Sequence, residues 1–283
     1  MPGAIDFVPL VDTHAHVFRR DLQFVTGSPS DFQRDYTAAD YVAELDAAGV
    51  RYGAVAAASF LGTQHEFTLR ALRQYDRLRA TVIVEPDITI ERLRELDQAG
   101  VVGIRVATGN MDRAPDLASA PYRKLLSKIV DLDWHVHVYG RREHMPPLLA
   151  ALEASGVKIV IDHFGARDNQ SGENSETFRA VLESMSKGRT WVKLSGPYLS
   201  EALDHRTMAA RLLAQAGPTR LLWGSDWPFV KLGGQLAYRQ TIEWLGDWIP
   251  EEAILRQVDA NAMELYRFGR RPDKLGPPHL RRF

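Results

Sequence analysis

Short apolar runs alternate with longer amphipathic segments eight times along this chain of 283 residues. The apolar runs have the length of buried strands, and the segments between them repeat their apolar residues with a helical period. The predicted strands cover residues 8–12, 53–58, 80–84, 102–106, 135–139, 158–162, 190–194 and 220–223. Eight strand–helix units in a chain of this length predict an α/β fold, a (β/α)8 TIM barrel.

A doubly wound open sheet is the alternative arrangement for alternating strands and helices. Its dinucleotide-binding form carries a glycine-rich phosphate turn after the first strand. No such turn follows residue 12 here, which argues against that form.

Two of the intervening segments carry clear helix boundaries. Thr37 stands where an N-cap is expected and Gly49 where the helix should end, and Thr89 and Gly100 repeat the arrangement. A threonine oxygen can accept from an orphan amide at a helix start, and glycine tolerates the left-handed conformation at a helix end. These segments are therefore predicted to be barrel helices.

The composition excludes several classes of protein. The chain has 35 Lys+Arg against 36 Asp+Glu, so neither nucleic acid nor an acidic membrane surface is an expected partner. It has no cysteine, which rules out disulfides, thiolate nucleophiles and Cys-based zinc sites and is consistent with a cytoplasmic location. No signal peptide or membrane span is evident in the sequence.

We predict a single domain over residues 1–283. The barrel core is expected at about 8–268, followed by a basic, proline-containing C-terminal extension at 269–283.

Histidines and an aspartate stand at the ends of three predicted strands. His14 and His16 alternate in "VDTHAHVF", so both side chains point to one face, while His163 and Asp226 follow strands six and eight. The carboxyl ends of barrel strands form one mouth, so these four side chains are expected to converge there. Three imidazoles and a carboxylate can bind a zinc-type ion, or can act as a metal-free acid–base cluster.

The motifs around these residues resemble those of the amidohydrolase superfamily. "DTHAHVF", "VIDHFG" and "WGSDWP" are similar to its branch of lactone hydrolases, which includes the 2-pyrone-4,6-dicarboxylate lactonases. "SFLGT", "GIRV" and "WVKLSGPY" resemble the same branch, so the likeness runs in order from about residue 11 to residue 229. It implies catalytic roles for His14, His16 and His163, with Asp226 as the general base toward water.

The resemblance also limits the number of metal ions. Binuclear members of the superfamily hold two ions with a Lys or Glu on strand four, whereas "VVGIRVATG" offers Arg105 there. The pyrone-dicarboxylate lactonases are thought to work without metal. We therefore expect either no ion or one divalent ion, best zinc, at His14, His16, His163 and Asp226.

Four further residues are candidates for substrate binding. Arg105 at the end of strand four suits a substrate carboxylate, although an ion pair with a neighbouring acid is the alternative. His137 and Tyr139 share one face of strand five, and at least one of them should reach the site. Ser59, which follows strand two, is a candidate for binding substrate oxygens.

The expected function is hydrolysis of a small carboxylated lactone by a monomer or homo-oligomer. The alternatives are a zinc-dependent decarboxylase of the same superfamily and a non-catalytic barrel that binds a sugar acid or metal. Leu199 stands where dicarboxylate lactonases are expected to carry an arginine, which favours a monocarboxylated substrate unless Arg141, Arg142 or Arg167 compensates.

Overall fold

A barrel of eight parallel strands forms the centre of the computed structural model, which describes residues 7–25, 32–233 and 235–269. Each strand pairs with the next one in sequence, so the sheet order is the chain order. An isolated bridge from Ala15 to Trp227 connects the segment after the last strand to the first. The predicted (β/α)8 barrel is thus confirmed. The strands are β1 (Val11–Ala15), β2 (Tyr52–Val55), β3 (Leu78–Val82), β4 (Val101–Ala107), β5 (His135–Tyr139), β6 (Lys158–Ile161), β7 (Thr190–Leu194) and β8 (Leu221–Trp223).

The helices surround the strands, and eight of them each follow the strand of the same number. They are α1 (Ala38–Ala48), α2 (Glu66–Gln74), α3 (Ile90–Gln98), α4 (Ala120–Asp131), α5 (Met145–Ser155), α6 (Glu176–Ser186), α7 (His205–Ala216) and α8 (Tyr238–Trp248). A further helix, α9 (Glu252–Leu265), was not predicted from the sequence and contacts β8 and β1.

Both predicted boundaries of α1 and the predicted start of α3 are confirmed, whereas α3 ends at Gln98 with Ala99, not Gly100, as its C-cap. Thr37 accepts from the amide of Asp40 in a capping box, and Gly49 ends α1 in the left-handed conformation with φ of 80°. Thr89 accepts from the amide of Arg92 at the start of α3. Caps of this kind are each worth about 1 kcal/mol, so the local sequence fixes where these helices begin.

The first strand lies further along the chain than predicted. It covers Val11–Ala15 rather than residues 8–12, so His14 lies inside the strand and His16 just beyond it. Both residues keep the same face because they remain two positions apart.

Apolar side chains form two layers of core. The larger layer lies between the strands and the surrounding helices. The smaller layer lies inside the barrel, where β-strand residues such as Val11 and Val160 pack with Tyr266 and Phe268 from the segment after α9. The barrel interior is therefore filled, and the polar site lies beyond this layer.

Among the described residues, no helix has the length and apolarity needed to cross a bilayer. Residues 270–283 of the predicted C-terminal extension lie outside the described part of the chain.

Candidate active site

Four of the predicted site residues converge at the carboxyl end of the barrel. The Oδ1 atom of Asp226 lies 3.4 Å from His14 Nε2, 3.5 Å from His16 Nε2 and 3.8 Å from His163 Nε2. The two Nε2 atoms of His14 and His16 are 3.3 Å apart. All four residues are buried, so their interactions are little screened by water.

Unusual backbone conformations direct two of these side chains. His163 and Asp226 both have positive φ, 54° and 65°, which is uncommon for residues other than glycine. The amide of Asp226 also donates to the carbonyl of His14 at 2.8 Å. The chain thus turns sharply after β6 and β8 and brings both side chains back over the barrel axis.

Asp12 anchors the segment that carries Asp226, and the sequence analysis did not single it out. Its carboxylate accepts from the amide and hydroxyl of Ser225, from the hydroxyl of Tyr238 and from the amide of His14. Burial raises the pKa of Asp12 despite these hydrogen bonds. Asp12 therefore fixes the position of Asp226 relative to β1.

The protonation of the imidazoles follows from their surroundings. Burial lowers the pKa of His14 well below its usual range, although Asp162 opposes this effect, and burial also lowers the pKa of His163. His16 Nδ1 lies 2.8 Å from the carbonyl of Ala56, which can only accept, so that nitrogen carries the hydrogen. His16 Nε2 is the ring nitrogen that faces Asp226.

The pKa of Asp226 lies well below its usual range. Burial on its own would raise this pKa, but the charge of His163, a hydrogen bond from His16 and the charges of His14 and His16 outweigh it. Asp226 is therefore ionised at neutral pH and can accept a proton.

A buried ion-pair cluster of Asp162, Lys193 and Arg105 supports the imidazoles from inside the barrel. Asp162 Oδ1 lies 3.2 Å from Lys193 Nζ and 3.1 Å from His14 Nδ1, and Asp162 Oδ2 accepts from Arg105 at 3.1 and 3.2 Å. Burial would raise the pKa of Asp162, but Lys193, His14 and Arg105 together hold it well below its usual range. Asp162 was a missed residue, although it directly precedes His163 in the sequence.

Lys193 has several partners inside the barrel. Its ammonium donates to the carbonyl of Thr13 at 2.9 Å and lies 3.0 Å from His14 Nδ1. Burial lowers its pKa to about 8, with Asp162 opposing the shift.

Arg105 differs from its expected role as a free clamp for a substrate carboxylate. Besides its two bonds to Asp162, it donates to the carbonyl of Ala57 at 2.7 Å. It still lines the cavity described below, but its charge already has a carboxylate partner. The alternative noted in the sequence, an ion pair with an acid of the same chain, is the one observed.

A cavity of about 170 Å³ opens over Asp226, His16 and His163. Ser59 and Tyr139, two of the predicted substrate-binding residues, line it, and so does Leu199.

His137 does not reach this cavity, which corrects the expectation that it binds substrate. Its ring lies deeper in the barrel, beneath His14, with Nε2 2.9 Å from the hydroxyl of Tyr266. Strand parity gave the correct face of β5, but the cluster of Asp162 and Lys193 separates His137 from the mouth.

Two cations line the cavity without an acidic partner in the described part of the chain. Arg167 is one of the three arginines noted from the sequence, and Lys231, in the loop after β8, was not predicted. The Nε atom of Arg167 is buried and has no hydrogen-bond partner within the described ranges. Arg141 and Arg142 instead form ion pairs with Asp112 and Asp168, at 3.6 and 3.4 Å. Positive charge thus collects on one side of the cavity, around Arg167 and Lys231.

Tyr198 is a further cavity residue that the sequence analysis missed. It lies in "SGPYLS" after β7, and its hydroxyl donates to Asp226 Oδ2. The sequence-based prediction for this stretch concerned only Leu199, the next residue.

The arrangement of donors fits one metal ion. A tetrahedral zinc with bonds of about 2.0–2.1 Å separates its ligands by about 3.3–3.4 Å. The atoms His14 Nε2, His16 Nε2 and Asp226 Oδ1 are 3.3 to 3.5 Å apart, and facing acceptors at such distances require a cation or proton between them. A second group of possible ligands, His14, Asp162 and His163, already has Lys193 and Arg105 bound to its carboxylate.

A family model for amidohydrolases matches residues 11–268. This match covers all eight strands and nearly all of the described chain.

Two curated relatives are each 29% identical to this chain over about three quarters of both sequences. A 4-sulfomuconolactone hydrolase from Hydrogenophaga intermedia is 29% identical over 227 residues, which cover 77% of this chain and 74% of that protein. A 2-pyrone-4,6-dicarboxylate hydrolase from Comamonas testosteroni is 29% identical over 242 residues, 78% of this chain and 77% of that protein.

Solved structures show the same fold. A Pseudomonas putida protein assigned as a 2-pyrone-4,6-dicarboxylic acid hydrolase superposes with a TM-score of 0.82 at 32% identity. The alignment covers 93% of this chain and 99% of that one.

Proposed function

The chain belongs to the amidohydrolase family, and from that premise we propose that it hydrolyses a small lactone carrying an acid group. One observation carries this proposal: an ionised Asp226 lies against three imidazoles in a cavity lined by two cations that have no acidic partner among the described residues. The names of the relatives from Hydrogenophaga and Comamonas, both lactone hydrolases, support the same reaction class.

Hydrolysis needs a base for water and a stabiliser for the developing oxyanion. Asp226 is the base, because its carboxylate is ionised and faces the cavity. The imidazoles of His14, His16 and His163 lie next to it, where they can polarise the lactone carbonyl.

His14, His16 and Asp226 would hold one divalent ion, with zinc the best fit to the donor spacing. When bound, such an ion supplies Lewis acidity to the carbonyl oxygen and lowers the pKa of bound water. Elemental analysis after extensive dialysis tests the count, and two equivalents of zinc per chain would contradict the single site.

Arg167 and Lys231 bind the acid group of the substrate. Partial burial and the neighbouring charge of Arg167 lower the pKa of Lys231, so an anion placed between these two cations would relieve their repulsion. Charge-assisted bonds of this kind orient carboxylates and sulfonates. With Arg105 engaged by Asp162, a lactone with one acid group remains the predicted preference over a dicarboxylate.

A panel of lactones assayed with a pH indicator tests the proposal. It comprises a monocarboxylated lactone, 4-sulfomuconolactone, 2-pyrone-4,6-dicarboxylate and a neutral lactone, and each turnover should release one proton. We expect Arg167→Met and Lys231→Met to raise KM for the acidic lactones and to leave the neutral one unchanged. Arg142→Met is the matched control, because Arg142 pairs with Asp168 and does not line the cavity.

The same assays separate the alternatives. Release of carbon dioxide from an aromatic or muconate-type acid would indicate a decarboxylase. Binding of an acidic lactone without turnover would indicate a non-catalytic barrel. The cytoplasmic location and the choice between monomer and homo-oligomer remain predictions.

A further inference from the structure

We propose that Tyr198 is a catalytic residue that passes a proton from Asp226 to the ring oxygen as the lactone opens. This inference rests on the proposed lactone hydrolysis and names a residue of the same cavity. Tyr198 lines the cavity, and its hydroxyl donates to Asp226 Oδ2. No other hydrogen bond of this hydroxyl occurs among the described residues.

The loop after β7 is shaped to bring Tyr198 to Asp226. Gly196 has φ of 58°, in the left-handed region that favours glycine. A Cβ atom at this position would lie 2.7 Å from His163 Nδ1 and 3.3 Å from Asp226 Oδ2. The backbone therefore passes directly over both residues, and the one-turn helix Pro197–Leu199 then presents Tyr198 to the carboxylate.

The two oxygens of Asp226 have different surroundings. Oδ1 faces the imidazoles of His14, His16 and His163 at 3.4 to 3.8 Å. Oδ2 faces the phenol of Tyr198. A proton taken from water at Oδ2 is thus one hydrogen bond away from the Tyr198 oxygen.

The proton balance of lactone opening requires such a transfer. The water oxygen bonds to the lactone carbonyl carbon while one water proton moves to Asp226 Oδ2. The bond from that carbon to the ring oxygen then breaks, and its electron pair stays on the ring oxygen. The ring oxygen takes the phenol proton of Tyr198, and Tyr198 takes the proton held by Asp226. The product is the hydroxy acid, and both residues return to their starting state.

Tyr139 provides a matched comparison within the same cavity. Its ring contacts Arg105 and lies edge-on to His163, with no hydrogen bond to Asp226 among the described residues. It is a phenol of equal size that lacks the link to the base.

The test compares Tyr198→Phe with Tyr139→Phe on two lactones with different leaving groups. A saturated lactone expels a poorly stabilised alkoxide and needs a proton donor, whereas a 2-pyrone expels a resonance-stabilised enolate. We expect Tyr198→Phe to lower kcat about 100-fold or more on the saturated lactone and less than about 5-fold on the pyrone, since general acids contribute about 10²–10⁴-fold. Tyr139→Phe should change kcat on both lactones by the same factor.

Equal losses on both lactones with Tyr198→Phe would overturn the inference, because a structural role does not depend on the leaving group. Leaving-group dependence in Tyr139→Phe alone would assign the proton to Tyr139 and also overturn it. If the enzyme accepts only one kind of lactone, substituents that change leaving-group acidity within that kind supply the same comparison. Absence of any lactone turnover by the wild-type chain would instead contradict the proposed function.

Discussion

Removing the charge of Asp162 should destabilise the barrel more than any change in its exposed ion pairs. Asp162 is fully buried and lies 3.2 Å from Lys193 Nζ and 3.1 Å from an Arg105 nitrogen. With an effective permittivity of about 20, Coulomb's law gives about 5 kcal/mol for the Lys193 contact alone. Desolvation offsets much of this attraction in the wild type, but Asp162→Asn leaves two buried cations without their counter-charge.

We therefore expect Asp162→Asn to lower the free energy of unfolding by about 3–5 kcal/mol. In a chain of this size that loss corresponds to a fall in Tm of about 6–20 °C. The assay is urea unfolding at pH 7, followed by tryptophan fluorescence, with a chelator present so that ion binding does not contribute.

The double variant Asp162→Asn/Lys193→Met provides the control. The wild-type cluster of Asp162, Lys193 and Arg105 has a net charge of +1. This net charge rises to +2 in Asp162→Asn and returns to +1 in the double variant. The double variant should thus be more stable than Asp162→Asn alone, by about 1–3 kcal/mol. A loss below about 1 kcal/mol for Asp162→Asn, or a double variant less stable than the single one, would refute this electrostatic account.

Three other predictions follow from the site and from α9. Asp226→Asn should lower kcat by at least about 10²-fold while calorimetry still detects lactone binding; retained turnover would remove Asp226 as the base. In Gly196→Ala, the new methyl group should push against His163, and the residue should adopt a strained φ that costs about 1–2 kcal/mol. We therefore expect kcat to fall at least about 10-fold. An unchanged kcat would contradict the close approach of the Gly196 backbone to His163. Burial raises the pKa of Asp259 to about 6, so the folded state binds the proton of this carboxyl group more tightly than the unfolded state does. The free energy of unfolding should therefore fall as the pH rises from about 4 to 6. Asp259→Asn keeps the acceptor for the amide of Leu10. It should raise the free energy of unfolding by about 1–2 kcal/mol at pH 7 but not near pH 4. An equal gain at both pH values would exclude the ionisation of Asp259 as its cause.

The sequence predicts the meeting of His14, His16, His163 and Asp226 because it depends only on topology. Parallel strands bring their carboxyl ends to one rim, and residues two apart on a strand share a face. These rules need no knowledge of side-chain packing, so an error of three residues in the start of β1 did not matter.

The same rules could not predict the ion pair between Arg105 and Asp162. It depends on how far side chains from β4 and from the end of β6 extend across the barrel, which no periodicity encodes. Depth within the barrel is a similar case, since parity placed His137 on the correct face without revealing that Asp162 and Lys193 lie above it. The role of Tyr198 could not be predicted from the sequence, because its hydrogen bond to Asp226 depends on the path of the backbone at Gly196.

The inner layer beneath the site is completed by Tyr266, which lies only one residue beyond α9. Its hydroxyl donates to the carbonyl of Thr13 at 3.3 Å and lies 2.9 Å from His137 Nε2. His137 in turn contacts Lys193, the cation that supports His14. During synthesis on the ribosome, the strand-one histidines emerge first, while Asp226 and then Tyr266 emerge more than 200 residues later. A nascent chain therefore exposes its imidazoles long before their carboxylate partner exists, and the site can form only when almost all of the barrel has left the exit tunnel.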